Sequence, residues 1–135
     1  MLISIDVIAH EINAPQFLPN KNQYSQEVIA KLPLNFGQIW ITKSGFWIQL
    51  FQENELEKLH DKTVGSYQLN CDVVQLKFIG ANLSNFTFEG DSSNEVYNFI
   101  KGKNSNQWVN NLRKREKIIF KNVYDGIDLE LLCNS

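Results

Sequence analysis

What the sequence has little of narrows its chemistry first. Histidine occurs twice, at His10 and His60, and cysteine twice, at Cys71 and Cys133. Neither cysteine belongs to a C-x-x-C pair, and no histidine lies near either in sequence, so zinc and thioredoxin-like readings have no spacing to rest on. No serine sits in a G-x-S-x-G elbow, and neither cysteine has the sequence context of a nucleophile. Positive charge is also scarce: 13 basic residues face 15 acidic ones, a formal net charge of -2. Without a basic excess to neutralise phosphates, nucleic-acid binding has no electrostatic support. The one basic cluster, Arg113-Lys114-Arg115 with Lys117 and Lys121 beyond it, is interrupted by Glu116 and reads as solvated surface. Long apolar runs are missing too, and no stretch approaches the length of a membrane span. Met1 to His10 carries Asp6 and lacks a basic leader and a small-residue cleavage site, so it does not read as a signal peptide. With three prolines and seven glycines there is little material for linkers.

What is present is a core. The chain has 135 residues, the size of one domain, with 43% apolar and 21% charged residues. At that length about two-thirds of the unfolded chain's surface can be buried without a metal or disulfide. Sixteen residues are aromatic, from nine Phe, four Tyr and three Trp.

Periodicity places strands at short spacing. Leu2–Ile8 alternates loosely and predicts a first strand; residues 12–22, with Pro15 and Pro19, predict an extended loop. Val28–Leu34 predicts a strand, with Pro33 at a sheet edge or strand end. Gln38–Gln52 is the clearest signal. Two alternating runs flank Thr42-Lys43-Ser44-Gly45, with Phe46, Ile48 and Leu50 on one face and Trp47, Gln49 and Phe51 on the other, which is the pattern of a β-hairpin whose Gly45 takes a left-handed conformation. Residues 53–61 have some helical character. Tyr67–Ile79 predicts a long strand with a bulge near Val73-Val74, where the apolar phase slips, and with Cys71 as a buried thiol. Short strands follow around Phe86–Phe88, Val96–Ile100 and Lys117–Val123. The turn Tyr124-Asp125-Gly126 then leads to a last strand with Ile127, Leu129 and Leu131 on one face. Seven to nine strands and at most one short helix predict an all-β fold, an antiparallel β-sandwich or related two-sheet arrangement, in a single domain over 1–135.

Several phrases then belong together. They are Phe17-Leu-Pro-Asn20 through Gln23, Ile39-Trp-Ile-Thr-Lys-Ser-Gly45-Phe46, Val74-Gln-Leu-Lys-Phe78-Ile-Gly80-Ala81-Asn82, Tyr97-Asn98-Phe99 through Gly102 with Trp108, and Ile118 through Tyr124-Asp-Gly126-Ile127-Asp128-Leu129. In this order and spacing the chain resembles the N-terminal β-rich domain, of unknown function, of large exported Bacteroidetes proteins that carry SBBP-type repeats, adhesion-like modules and a C-terminal sorting domain. The likeness runs from about Phe17 to Leu129. That family usually has glycine where Asn22 stands and proline where Asp125 stands. The resemblance implies an exported, cell-surface or secreted setting and no activity. It also implies a domain that continues past residue 135, leaving a free strand edge at Ile127–Leu132 for another copy to pair with.

The candidate sites are few. Trp47, Phe51 and Trp108 are candidate ligand contacts, since Trp47 and Phe51 oppose the face expected to be core, and an exposed aromatic strip serves as a carbohydrate platform or protein-contact patch. Trp40, Tyr97 and Phe99 add to an aromatic count too large for one side of a small sheet. Asp125 and Asp128 are a candidate metal pair by carboxylate chemistry, against the simpler reading that they shape the turn. Asn20 and Gln23 are expected to fix the path of their own loop. No cofactor is implied. The expectation is a non-catalytic structural or interaction module of a larger exported envelope protein, whose partners are neighbouring domains or an envelope protein. The alternative is a carbohydrate- or protein-binding module, and after it a carboxylate-pair glycoside hydrolase.

Overall fold

The computed structural model describes residues 1–8, 15–52, 70–91, 96–100 and 102–134. Within them the chain forms β1 (Leu2–Ile8), β2 (Leu18–Pro19), β3 (Val28–Leu34), β4 (Gly37–Thr42), β5 (Gly45–Phe51), β6 (Cys71–Lys77), β7 (Phe86–Asp91), β8 (Tyr97–Phe99), β9 (Val109–Leu112), β10 (Arg115–Tyr124) and β11 (Ile127–Asn134). The one helical piece among the described residues is a 3-10 turn, Ser105–Gln107. The strand count exceeds the expected seven to nine because β2, inside the stretch expected to be an extended loop, and β9 are too short to show a period. The segment 53–61, read as partly helical, lies outside the described residues, as do Tyr67 and both histidines.

The strands form three sheets, ordered β1-β11-β10-β7, β2-β3-β4-β5-β6 and β8-β9. Neighbouring strands in these sheets are antiparallel except β1, which runs parallel to β11 over Leu2–Ile8. The four- and five-stranded sheets face each other. Ile29, Ala30, Leu32, Ile41 and Phe46 from one meet Ile118, Phe120, Val123, Leu129, Leu131 and Cys133 from the other in one buried cluster. Phe120 and Ile118 are wholly buried, and burying a side chain of that size contributes about 1.5–3 kcal/mol. The crossing from β6 to β7 lays Leu83 into this core, anchored by Asn82 N–H on the Val123 carbonyl at 2.9 Å. Phe17 joins the sheets at another corner through mutual 2.8 Å backbone bonds with Arg115. The fold is an all-β sandwich.

The hairpin of β4 and β5 turns at Lys43 and Ser44, pairing Trp40 with Trp47 and Thr42 with Gly45. Gly45 has φ +136, and a Cβ there would lie 2.1 Å from the Leu76 carbonyl oxygen. Glycine is therefore required by the approach of β6 as well as by the turn. Asn22 stands at φ +83, a region that favours glycine.

Three expectations need correction. β6 pairs with β5 from Cys71 to Lys77 without a register shift, so there is no bulge at Val73-Val74. Both faces of β6 are apolar because it lies at the rim of the sandwich, where neither face is fully covered. For the same reason Cys71 is only half-buried. Pro33, by contrast, stands at the end of β3 as expected, and β2 flanks β3 only at Ala30 and Lys31, so its missing N–H interrupts no ladder on that side. Finally, β11 has no free edge along Ile127–Leu132: β10 pairs with it on one side and β1 on the other. The register shifts that do occur include one in β10 between Phe120 and Tyr124.

Candidate functional site

Alternation along β3 to β6 sorts their side chains onto two faces. One face enters the core. The other presents ordered rows. Lys31, Trp40, Trp47 and Gln75 lie side by side across the four strands, with Pro33, Gln38, Gln49 and Val73 in the next row. Directly opposed residues on neighbouring antiparallel strands share a face, so this grid follows from register alone.

A third layer covers part of the grid. Leu18 on β2, with Val109 and Leu112 on β9, forms a second buried cluster against which Tyr97 and Phe99 of β8 pack. Tyr24, in the loop after β2, meets Trp40 edge-on at 5.1 Å and Phe99 at 6.1 Å between ring centroids. The Lys31 ammonium lies 5.6 Å from the Tyr24 ring and 5.5 Å from that of Trp40, within cation–π range. The Tyr24 hydroxyl is buried with no hydrogen-bond partner among the described residues, and burial pushes its pKa up. Asn20 fixes this loop: its amide donates to the carbonyls of Ser25 and Val28 at 2.8 Å, and its side-chain oxygen accepts from Asn22 and Tyr24 N–H at 3.1 Å. Gln23 joins it by donating to the Pro19 carbonyl at 2.7 Å. Both side chains hold the loop's own path, as their residue types suggest.

Beyond Trp40 the face is open. Trp47 is 39% exposed. Around it lies a shallow depression of about 390 Å³ lined by Val28, Trp40, Thr42, Trp47, Gln49 and Val73. Gln49 is held in place. Its oxygen accepts from Gln38 Nε2 at 2.6 Å and Trp40 Nε1 at 3.5 Å, and its amide donates to Cys71 Sγ at 3.2 Å. The lining is an indole floor with the Gln49 amide at its side and no charged side chain; Thr42 is buried, its hydroxyl donating to the Gly45 carbonyl at 2.7 Å. Such a surface suits an uncharged ligand that stacks and shares a few hydrogen bonds.

The candidate residues separate. Trp47 lines the depression. Phe51 shares its face but sits at the end of β5, opposite Cys71 and half-buried, outside the lining. Trp108 is 44% exposed just before β9, with its indole N–H 3.4 Å from the Gly102 carbonyl, and it is likewise not part of the lining. Val28, Thr42 and Val73 were not singled out by sequence. Thr42 could have been found by extending the hairpin's alternation, but Val28 lies beyond the register shift of β3, and Val73 sits in an apolar run without contrast.

The carboxylates are elsewhere. Asp125 is exposed in the turn between β10 and β11. Asp128 accepts from Lys121 Nζ at 2.7 Å and from the Asn122 backbone N–H at 2.8 Å. Asn122 sits at φ +50 within the irregular stretch of β10, so Asp128 satisfies an N–H that the irregularity turns out of the ladder. The Lys121 and Asn122 hydrogen bonds hold its carboxyl below the usual pKa. Among the described residues no group of three His, Cys, Asp or Glu side chains could hold a metal ion, and no helix is long and apolar enough to cross a membrane. Both cysteines are free thiols.

Fold and surface together define a β-sandwich domain with a partly covered, aromatic outer face. The chain matches the model of a family described as a domain of unknown function (DUF7948) over residues 17–135, and it belongs to that family. No curated protein and no solved structure matches it.

Proposed function

We propose that the chain is a non-catalytic interaction module of a larger exported cell-envelope protein, of the Bacteroidetes kind that carries SBBP-type repeats and a C-terminal sorting domain, and that it makes its contact through the open half of the outer face of β4, β5 and β6. The setting is supported by the phrases from Phe17 to Leu129 set out above. A role at the end of a repeat array has a physical motive, since such arrays need a terminal unit to cover their exposed end. One observation carries the contact surface: Trp47 stays 39% exposed over a depression it shares with Trp40, beside a part of the face where Tyr24 packs against Trp40 and Phe99.

The lining favours carbohydrate as the ligand. An exposed indole beside the Gln49 amide, with no ammonium or carboxylate in the depression, matches the apolar face of a neutral sugar ring. A glycoside hydrolase would need two carboxyls facing across a cleft, and this depression offers none.

The test is intrinsic tryptophan fluorescence during titration with a panel of soluble neutral glycans. A saturable shift with at least one glycan is expected. It should vanish in Trp47→Ala and persist in Trp108→Ala, while both variants keep the unfolding midpoint of the parent within a few degrees. A panel without any response, or a response lost in Trp108→Ala and kept in Trp47→Ala, would sink the carbohydrate reading of this face.

A further inference from the structure

β6 ends the five-stranded sheet. β5 pairs along its whole length, and among the described residues no strand pairs with its other edge. Natural edges are usually blunted by proline, by a bulge, by brevity or by central charges. β6 has seven residues, no proline and no register shift, and its two charges, Asp72 and Lys77, sit near its ends. Its middle is apolar and exposed on both faces: Val73 is 50% exposed on the outer face, and Val74 and Leu76 are 55% and 47% exposed on the inner one. A strand laid alongside would cover all three and complete the backbone hydrogen bonds of this edge.

We propose that the chain self-associates as a two-fold dimer through antiparallel pairing of β6 with β6 of a second copy, centred on Gln75. The occupant follows from self-complementarity. A two-fold axis through an antiparallel pair keeps inner faces with inner faces, so only same-face residues can oppose each other. Centred on Gln75, the strands set Val74 of each copy against Leu76 of the other on the inner face. Gln75 then opposes Gln75, and Val73 opposes Lys77, on the outer face. Moving the centre to Val74 would set Asp72 against Leu76, and moving it to Val73 would set Asp72 against Val74. Reversal also keeps like charges apart, with the two Asp72 residues at opposite ends of the pair. Because Trp47 is opposite Gln75, the two Trp47 residues would stand three strand spacings apart, roughly 14 Å, on one continuous face. The proposal rests on the edge alone and is independent of any sugar binding.

Sedimentation velocity of the full chain across a wide concentration range provides the test. A monomer–dimer equilibrium is expected, and Val74→Lys should raise its dissociation constant about tenfold or more while leaving the circular dichroism spectrum unchanged. Register is read by disulfide trapping in a Cys71→Ser background. Gln75→Cys should give a covalent dimer on mild oxidation, because its two copies would face each other across the axis. Lys77→Cys should not, because its copies would lie four residues out of register. A monomer at every concentration would overturn the proposal. So would a dimer that Val74→Lys leaves intact, or one trapped by Lys77→Cys in preference to Gln75→Cys.

Discussion

The outer face of the five-stranded sheet is two surfaces on one scaffold. Over β2 and the neighbouring part of β3 it is covered: Leu18 is buried with Val109 and Leu112 of β9, and Tyr24 bridges Phe99 of β8 to Trp40 and Lys31. Over β5 and β6 it is surface, where Trp47 and Val73 remain exposed. The strands on both sides alternate in the same way, and the apolar content of the two halves is similar. What separates them is a short two-stranded sheet that folds over one half and stops. An aromatic stripe on a strand therefore becomes core or contact surface according to whether a third layer reaches it, and neither strand carries that information by itself.

The sharpest way to break this comparison is to truncate one apolar residue on each side. Leu112 is wholly buried under the third layer and Val73 is half exposed. Leu112→Ala should cost about 2–5 kcal/mol in urea unfolding. At concentrations where the chain is monomeric, Val73→Ala should stay within about 0.5 kcal/mol of the parent, as is usual for surface positions. Equal losses would mean that the open half is also covered in solution, and the case for a contact surface there would fall with it.

A smaller effect separates the two thiols. Cys71 stands half-buried on β6 and accepts a hydrogen bond from Gln49, whereas Cys133 lies in the main core. Burial pushes the Cys133 pKa up to about 12, and only the thiolate attacks an aromatic disulfide reagent. At neutral pH one thiol per chain should react under native conditions, at least about tenfold faster than the second, and both should react together in denaturant. Comparable native rates would show that the sandwich opens near β11.

The same contrast explains what could be read from the residues beforehand. The hairpin around Lys43 and Ser44, the turn at Asp125-Gly126 and the core faces of β5 and β11 were legible because each is a local rule: a period of two, or a residue type that a turn demands. Trp47 was found through the same alternation. The third layer was not legible, because Val96–Ile100 reads only as an isolated short strand and β9, with four residues, is too short to show a period. Nor was the phase of β6. On a strand at the rim Val73 and Val74 are both apolar, and a run without contrast reads as a slip. The parallel seating of β1 against β11 joins the two ends of the chain, a pairing that no local pattern announces.

The smallest expected effect lies outside both halves, at Asp128, and it concerns charge rather than packing. The hydrogen bond from Lys121, followed by the one from the Asn122 backbone N–H, holds its carboxyl below the ordinary value of 3.8. A depressed acid stabilises the fold above its unfolded pKa and loses that contribution as pH falls through the folded one. The partner shifts the other way: Lys121 is raised above 10.5 by the same bond, so its contribution is present below the unfolded value and fades as pH climbs through the folded one. The pair is therefore intact across the neutral range and fails at both extremes. Asp128→Asn keeps an oxygen for the Asn122 N–H and removes only the charge. Its unfolding midpoint should fall slightly below the parent's near neutrality, and the gap should close in acid below the depressed pKa. Because both side chains are solvent-exposed, added salt should narrow it as well. A gap that survives both acid and salt would mean that the carboxylate acts through the geometry of the β10 irregularity, and that its charge contributes nothing.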